Sequence, residues 1–243
     1  EYDKRFATWL ERRLMNFDSQ FTFDTDSIGS VKDLERAIKL NELDAKSHAK
    51  LAVARILSND SDGANKSLED ALAITSKDPT VNYAAMIVRA YQQNAKEVIE
   101  HGDLILDAGR DGYGLRLLLA SASLQMGDPE TARVHLVSAT QLYEGGVTAW
   151  YELGELAKNI GDKALAEEAL RELYMLDQHD PNLAKARFQL ARAEGDEDAA
   201  WGALMRWVDV HPFSVELHEY IVEMAPSRGA KMELARSWRA MTL

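Results

Sequence analysis

Cysteine is absent from the 243 residues, which removes disulfides, thiolate zinc sites and cysteine nucleophiles together. A thiol-free chain suits a reducing cytosol and an exported bacterial protein alike, so cytoplasmic and extracytoplasmic locations both stay open. Proline occurs five times and glycine 14 times, too few for a loop-rich or collagen-like chain. Basic residues are outnumbered, 28 Lys and Arg against 40 Asp and Glu, for a formal charge of −12. That balance argues against nucleic acid, whose binding draws on Lys and Arg releasing counterions. No apolar run approaches the roughly 18 residues of a membrane helix, so no membrane span is expected. What is abundant is Ala, Leu and Glu, all good helix formers, and the expected class is all-α.

The ordering principle is an internal repeat. Gly127, Gly161, Gly195 and Gly229 recur at steps of 34. The residue after each turn position keeps the same step through Asp60, Asn94, Asp128, Asp162 and Asp196, and these are helix N-cap types. Ala64, Val98, Ala132, Ala166, Ala200 and Leu234 form a further column. Leu68, Gly102, Leu136, Leu170, Leu204 and Trp238 form the next, and Ala71, Ile105, Ala139, Leu173, Trp207 and Met241 the one after. Together they trace an i, i+4, i+7 stripe of small and apolar residues, the signature of a helix with one buried face. A second turn in each period is marked by Asp78-Pro79, Asp180-Pro181 and His211-Pro212, where proline is tolerated at a first helical position.

Each period therefore reads as helix, turn, helix, turn. Six hairpins are expected at about 45–78, 79–112, 113–146, 147–180, 181–214 and 215–243. Leu34 and Ala37 extend the columns backwards, so residues 30–42 read as the second helix of an incomplete earlier unit. Residues 3–15 read as an amphipathic helix with Phe6, Trp9, Leu10 and Leu14 on one side. The turn-rich, aromatic stretch 17–27 reads as a linker, which divides the chain into 1–27 and a helical array over 28–243. The chain opens on Glu1, and the expectation is a piece of a longer polypeptide.

The 34-residue period with Trp150, Leu153, Gly154, Gly161 and Ala166 resembles the tetratricopeptide repeat. That resemblance covers residues 45–243 and implies an α-α superhelix, a right-handed solenoid of about six hairpins with further helices before it. Three departures stand out: Ala157 occupies the column where the family carries Tyr, and Arg55 and Arg89 fill it in the first two units. A second, shorter resemblance links EYDKRFATWLERRL to the last helix of bacterial metallopeptidase domains of the peptidase MA, or gluzincin, type. DPNLAKARFQLARAEGD and HPFSVELHEYIVEMA are similar to the repeats that often follow such domains. This implies an upstream zinc enzyme ending near Leu14 to Phe17.

No catalytic constellation stands out. A gluzincin needs His-Glu-x-x-His, two imidazoles one turn apart on a helix, whereas His48, His101, His135, His179, His211 and His218 are scattered and read as surface or helix-packing residues. Glu152 with Glu155, and Glu167 with Glu168 and Glu172, read as solvated helix faces. Gly112, Gly114, Gly145 and Gly146 lack the strand-before, helix-after setting of a phosphate loop and read as turns. There is no Gly-x-Ser-x-Gly elbow. The chain by itself is expected to be no enzyme, with no catalytic residue, no metal ligand and no cofactor, while the parent's status stays open.

Two functions follow. The first is a protein-protein interaction scaffold that binds a peptide or docks a domain, a preceding domain of the same polypeptide included, on the concave face. The alternative is an accessory C-terminal region that positions substrate or partner for an upstream zinc metallopeptidase. In a stacked hairpin array the first helix of each unit lines the concave side. The expected partner-binding stripe is Tyr83, Ile87, Tyr91, Leu117, Tyr151 and Glu155; the alternative is a register shifted by one residue, as Arg55 and Arg89 in core columns suggest, which makes Tyr83 and Tyr91 ordinary core. Ala49, Val53 and Leu57 extend it backwards, and Lys185, Gln189, Glu219 and Glu223 forwards. A bare apolar wall of this size calls for a cover, and Phe17, Phe21 and Phe23, or the helix with Phe6 and Trp9, are the nearest candidates.

Overall fold

The computed structural model describes residue 4, residues 20–23 and residues 28–242. Among the described residues the regular elements are thirteen α-helices and no strand. They are α1 (Val31–Leu40), α2 (Ala45–Leu57), α3 (Ser61–Ile74), α4 (Pro79–Tyr91), α5 (Ala95–Asp107), α6 (Tyr113–Gln125), α7 (Pro129–Leu142), α8 (Val147–Ile160), α9 (Lys163–Leu176), α10 (Pro181–Glu194), α11 (Glu197–Val210), α12 (Val215–Arg228) and α13 (Lys231–Ala240). From α2 onward they form six successive hairpins, so the all-α, α-α solenoid class read from the period holds. The helix α1 stands where the incomplete earlier unit was expected. The helix expected over residues 3–15 lies outside the described residues apart from Lys4, which is helical. The chain divides into two compact units, residues 1–149 and 150–243, the division falling inside α8.

Local chemistry explains the regular punctuation. Asp60, Asn94, Asp128, Asp162 and Asp196 each accept a hydrogen bond from a backbone N–H in the first turn of the helix that follows. Asp78 and Asp180 do the same ahead of Pro79 and Pro181. Such caps satisfy amides that the helix cannot, each worth about 1 kcal/mol. The residue before the cap takes a left-handed conformation in every hairpin, and Gly127, Gly161, Gly195 and Gly229 have φ of 77°, 77°, 75° and 68°. The earlier members of that column are Asn59 and Gln93, at φ 61° and 58°. At the last turn the expectation differs from the structure. Pro212 lies in the turn, and α12 starts only at Val215, behind Ser214.

Within each unit the stripe columns form the core. In unit 1 Ala64, Leu68, Ala132 and Leu136 are fully buried, and in unit 2 so are Ala200 and Leu204, with Trp207 nearly so. Trp238, expected in a core column, is 54% exposed, because the described residues contain no hairpin after α13 to cover it. Arg55 and Arg89 sit where the repeat favours a large side chain and solve the problem by pairing. Arg55 reaches Ser67 Oγ at 2.7 Å and Glu35 at 2.8 Å, and Arg89 reaches Asn65 at 2.8 Å and forms an ion pair with Glu97.

A further column ties the two helices of individual hairpins together. His48, Asn82 and His218, at one register, each donate to the carbonyl six residues back, on Glu42, Ser76 and Pro212. Nineteen residues on, Asn82 meets His101 at 2.8 Å, Arg116 meets His135 at 3.0 Å, and His218 meets Ser237 at 3.1 Å. A guanidinium has no acceptor, so the His135 Nδ1 that faces Arg116 accepts and must carry no proton.

A pH dependence follows. Burial, reinforced by Arg89 for His101 and by Arg116 for His135, holds both imidazoles below their ordinary range. Nearby Glu97, Glu100, Asp103 and Asp111 pull the other way without reversing the sign. The unfolded chain therefore binds more protons than the folded one as the pH falls below about 6.5. The stability of unit 1 is expected to be full above that value and to decline through the window down to the depressed folded values. Urea melts of wild type and a His101→Gln, His135→Gln variant between pH 7.5 and 5 check this. An identical pH slope for both proteins would sink it.

Candidate interaction site

In unit 1 the first helices of the hairpins, α2, α4 and α6, present an apolar wall, and the wall is covered by the chain itself. Residues 20–23 run over it without regular secondary structure. Phe21 N–H donates to the Asp111 carbonyl at 2.7 Å. Gln20 donates to the Leu142 carbonyl at 2.6 Å and accepts from Tyr113 N–H at 3.3 Å. The two phenylalanine rings flank Tyr83, Phe21 edge-on at 5.6 Å between centroids and Phe23 stacked at 5.6 Å. Burial pushes the Tyr83 phenol up to about 12.

The seat of this segment is built from α6 and the turn before it. Arg116 grips both oxygens of Asp111, at 2.8 and 2.6 Å, and fixes the turn whose carbonyl receives Phe21. The next residue is Gly112, where an added Cβ would stand 2.1 Å from the Phe21 carbonyl oxygen. Its φ of −171° is open to any residue, so glycine is required there for space alone.

The expected stripe divides accordingly. Tyr83 and Ile87 join one cluster with Phe21 and Phe23, Leu117 is half-buried, and Tyr91 is 59% exposed. Ala49 and Val53, expected on the open wall, are fully buried in a cluster that includes Phe23, Ile28 and Leu34, because the preceding segment and α1 close over them. Phe6, Trp9 and Phe17, the other expected covers, lie outside the described residues.

In unit 2 Tyr151 and Glu155 line a cavity of about 490 Å³ between α8, α9 and α10. Its floor is apolar, from Ala166, Leu170 and Leu173 on α9 to Leu183, Ala186 and Leu190 on α10. Ala166 and Leu170 are only half-buried here, whereas Ala64, Ala132 and Ala200 in the first column, and Leu68, Leu136 and Leu204 in the second, are fully covered. The core stripe of this hairpin is thus left open. Glu155 and Lys158 form an ion pair at 2.6 Å on the rim. Glu152, the other member of the acidic pair, is half-buried on α8, and burial pushes its carboxyl above the ordinary range.

Sequence reasoning missed Asp111, Gly112 and Arg116 as a seat, having read Gly112 only as a turn. It also missed Lys158 and Ala186 at the cavity, whose signal is the residues that replace them one period later. Among the described residues there is no cluster of three metal-capable side chains, and no helix long and apolar enough to cross a membrane.

With that geometry in view, the comparisons are informative about fold. The tetratricopeptide repeat profile matches residues 147–180, the fourth hairpin. The C-terminal part of a TPR repeat-containing protein from Cytophaga hutchinsonii is similar with a TM-score of 0.63 at 13% identity, over 97% of this chain and 93% of that one. YrrB, described as a TPR protein with an unusual peptide-binding site, is similar with a TM-score of 0.62 at 21% identity, over 75% and 94%. Pseudomonas aeruginosa PilF follows at 0.59 and 20% identity, over 78% and 86%. No curated protein matches the sequence. The chain thus has the fold of tetratricopeptide-repeat proteins and carries one hairpin that the repeat profile itself matches.

Proposed function

We propose that this chain is a protein-interaction module, non-catalytic by itself, that holds peptide segments on the first-helix walls of its hairpins. One observation carries the reading: the wall of unit 1 already holds such a segment, residues 20–23, by a backbone hydrogen bond and two rings around Tyr83. Main-chain hydrogen bonds that give affinity, with alternate side chains seated in pockets that give specificity, are a recurring mode of recognising extended peptides. Similarity to a structure described as peptide-binding supports the same class. The segment also anchors whatever precedes it, so a preceding domain of the same polypeptide would be docked here. An accessory role beside an upstream zinc metallopeptidase domain would use this tether too.

The test uses a synthetic peptide of residues 17–27, FDSQFTFDTDS, and a chain carrying Phe21→Ser and Phe23→Ser, which frees the wall. The peptide is expected to bind that variant in trans and to lose at least about tenfold in affinity when Gly112→Ala is added, since the methyl group occupies the place of the Phe21 carbonyl. Gly112→Ala in the otherwise native chain should cost about 1–3 kcal/mol through overpacking. Absence of peptide binding to the freed wall would overturn the proposal.

A further inference from the structure

The cavity of unit 2 has a counterpart one period further on, and there it is full. Phe188, Trp207 and Tyr220 form a ring cluster with centroids 4.6 to 6.5 Å apart. Stepping back by 34 from these three positions gives Gly154, Leu173 and Ala186, and all three line the cavity. The surroundings correspond as well. Arg192 lies over the Phe188 and Tyr220 rings, at 5.9 and 5.5 Å, and its equivalent is Lys158 on the cavity rim.

In this chain the same three positions also close by another route. In the first hairpin and the helix after it they are Ala52, Ala71 and Ala84, all fully buried, because three methyl groups let helices come together. Gly154, Leu173 and Ala186 do neither. Leu173 is too large for close approach, and a glycine and a methyl leave the room of two rings unfilled. At about 490 Å³ the space falls within the usual range of roughly 300–1,000 Å³ for binding sites.

We propose that the cavity bounded by Gly154, Leu173 and Ala186 is the anchor pocket for an aromatic side chain, tryptophan or tyrosine, of a partner peptide. The ring takes the place that Phe188 and Tyr220 occupy one hairpin later, and Lys158 stands over its face as Arg192 does there. Polar groups at the mouth, from Asn182 and Gln189, meet the indole N–H or phenol O–H. Aromatic anchors seated in apolar pockets dominate binding at interfaces, and a cation over the ring adds to the attraction. The assignment rests on the interaction reading and supplies the chemistry of its partner in unit 2.

The experiment follows the methyl signals of Leu170, Leu173, Leu183 and Leu190 while acetyl-Gly-Trp-Gly-amide is added, with acetyl-Gly-Leu-Gly-amide as the comparison. Saturable shifts are expected with the tryptophan peptide and at least tenfold weaker response to the leucine peptide. Ala186→Tyr, which restores the ring of Tyr220 one period early, should abolish the response and raise the melting temperature of unit 2 by about 4 °C or more. Lys158→Met should weaken the tryptophan response without lowering the melting temperature. Equal response to both peptides, no saturable shift, or an unchanged response in Ala186→Tyr would overturn the assignment. So would signals that shift on dilution alone and stop doing so in Phe213→Ser, since the occupant would then be the exposed Phe213 of a second copy. Gly112→Ala acts in unit 1 only, so failure here leaves the wall of unit 1 to be judged by its own test.

Discussion

Phe188→Ala is expected to destabilise unit 2 by about 3–5 kcal/mol, the usual cost of deleting a buried aromatic side chain. Phe188 is fully buried, packs against Trp207 and Tyr220, and belongs to the one cluster that joins α10, α11 and α12. In a hairpin array each unit is supported by its neighbours alone, so the loss is not spread over the chain. Urea unfolding followed by tryptophan fluorescence should show the transition of unit 2 moving to lower denaturant. A change below about 1 kcal/mol would mean that the ring cluster is not the joint between these hairpins.

Tyr83→Ser is expected to cost about 2–4 kcal/mol, while Tyr151→Ser should stay within about 0.5 kcal/mol. From the sequence both fall on one stripe, open for Tyr151 but for Tyr83 either open or, with the register shifted by one residue, core. The structure separates them. Tyr83 is 8% exposed beneath Phe21 and Phe23, whereas Tyr151 is 58% exposed on the cavity rim. Tyr83→Phe keeps the rings in contact and should recover most of the loss, since the phenol O–H is the smaller part of the buried group. Thermal melts of the three variants settle it, and equal, small effects for Tyr83→Ser and Tyr151→Ser would show that residues 20–23 do not cover the wall.

The fold was legible where a local rule acts alone. Asp60, Asn94, Asp128, Asp162 and Asp196 cap because of their own side chains, and Gly127, Gly161, Gly195 and Gly229 adopt φ that favours glycine, so period and hairpin order could be read directly. Pro212 misled because the rule for proline at a first helical position is a permission and not a requirement. The cover over Tyr83 was half legible: Phe21 and Phe23 announced an aromatic segment in need of a surface. The Asp111 carbonyl and the bare Gly112 that receive it are backbone features, which leave little trace in side-chain patterns. The cavity was harder still. It shows only when Gly154, Leu173 and Ala186 are set beside Phe188, Trp207 and Tyr220, and a search for similarity between repeats passes over positions where they differ.

The paired side chains that tie helix to helix have a consequence for folding. Near-identical units in one chain invite a helix to associate with the wrong sibling, the characteristic failure of repeat proteins. Here three of the six hairpins carry a polar pair of their own: amide to imidazole between Asn82 and His101, guanidinium to imidazole between Arg116 and His135, imidazole to hydroxyl between His218 and Ser237. Exchanging partners could set Asn82 or Arg116 against Ala169, at the same register but with no side-chain donor or acceptor to meet them. Buried groups left without a partner cost more than the bonds they make are worth. The mixed column therefore sorts polar helices from apolar ones, and a helix that carries Asn82, Arg116 or His218 loses a bond when it closes on a sibling with alanine at this register.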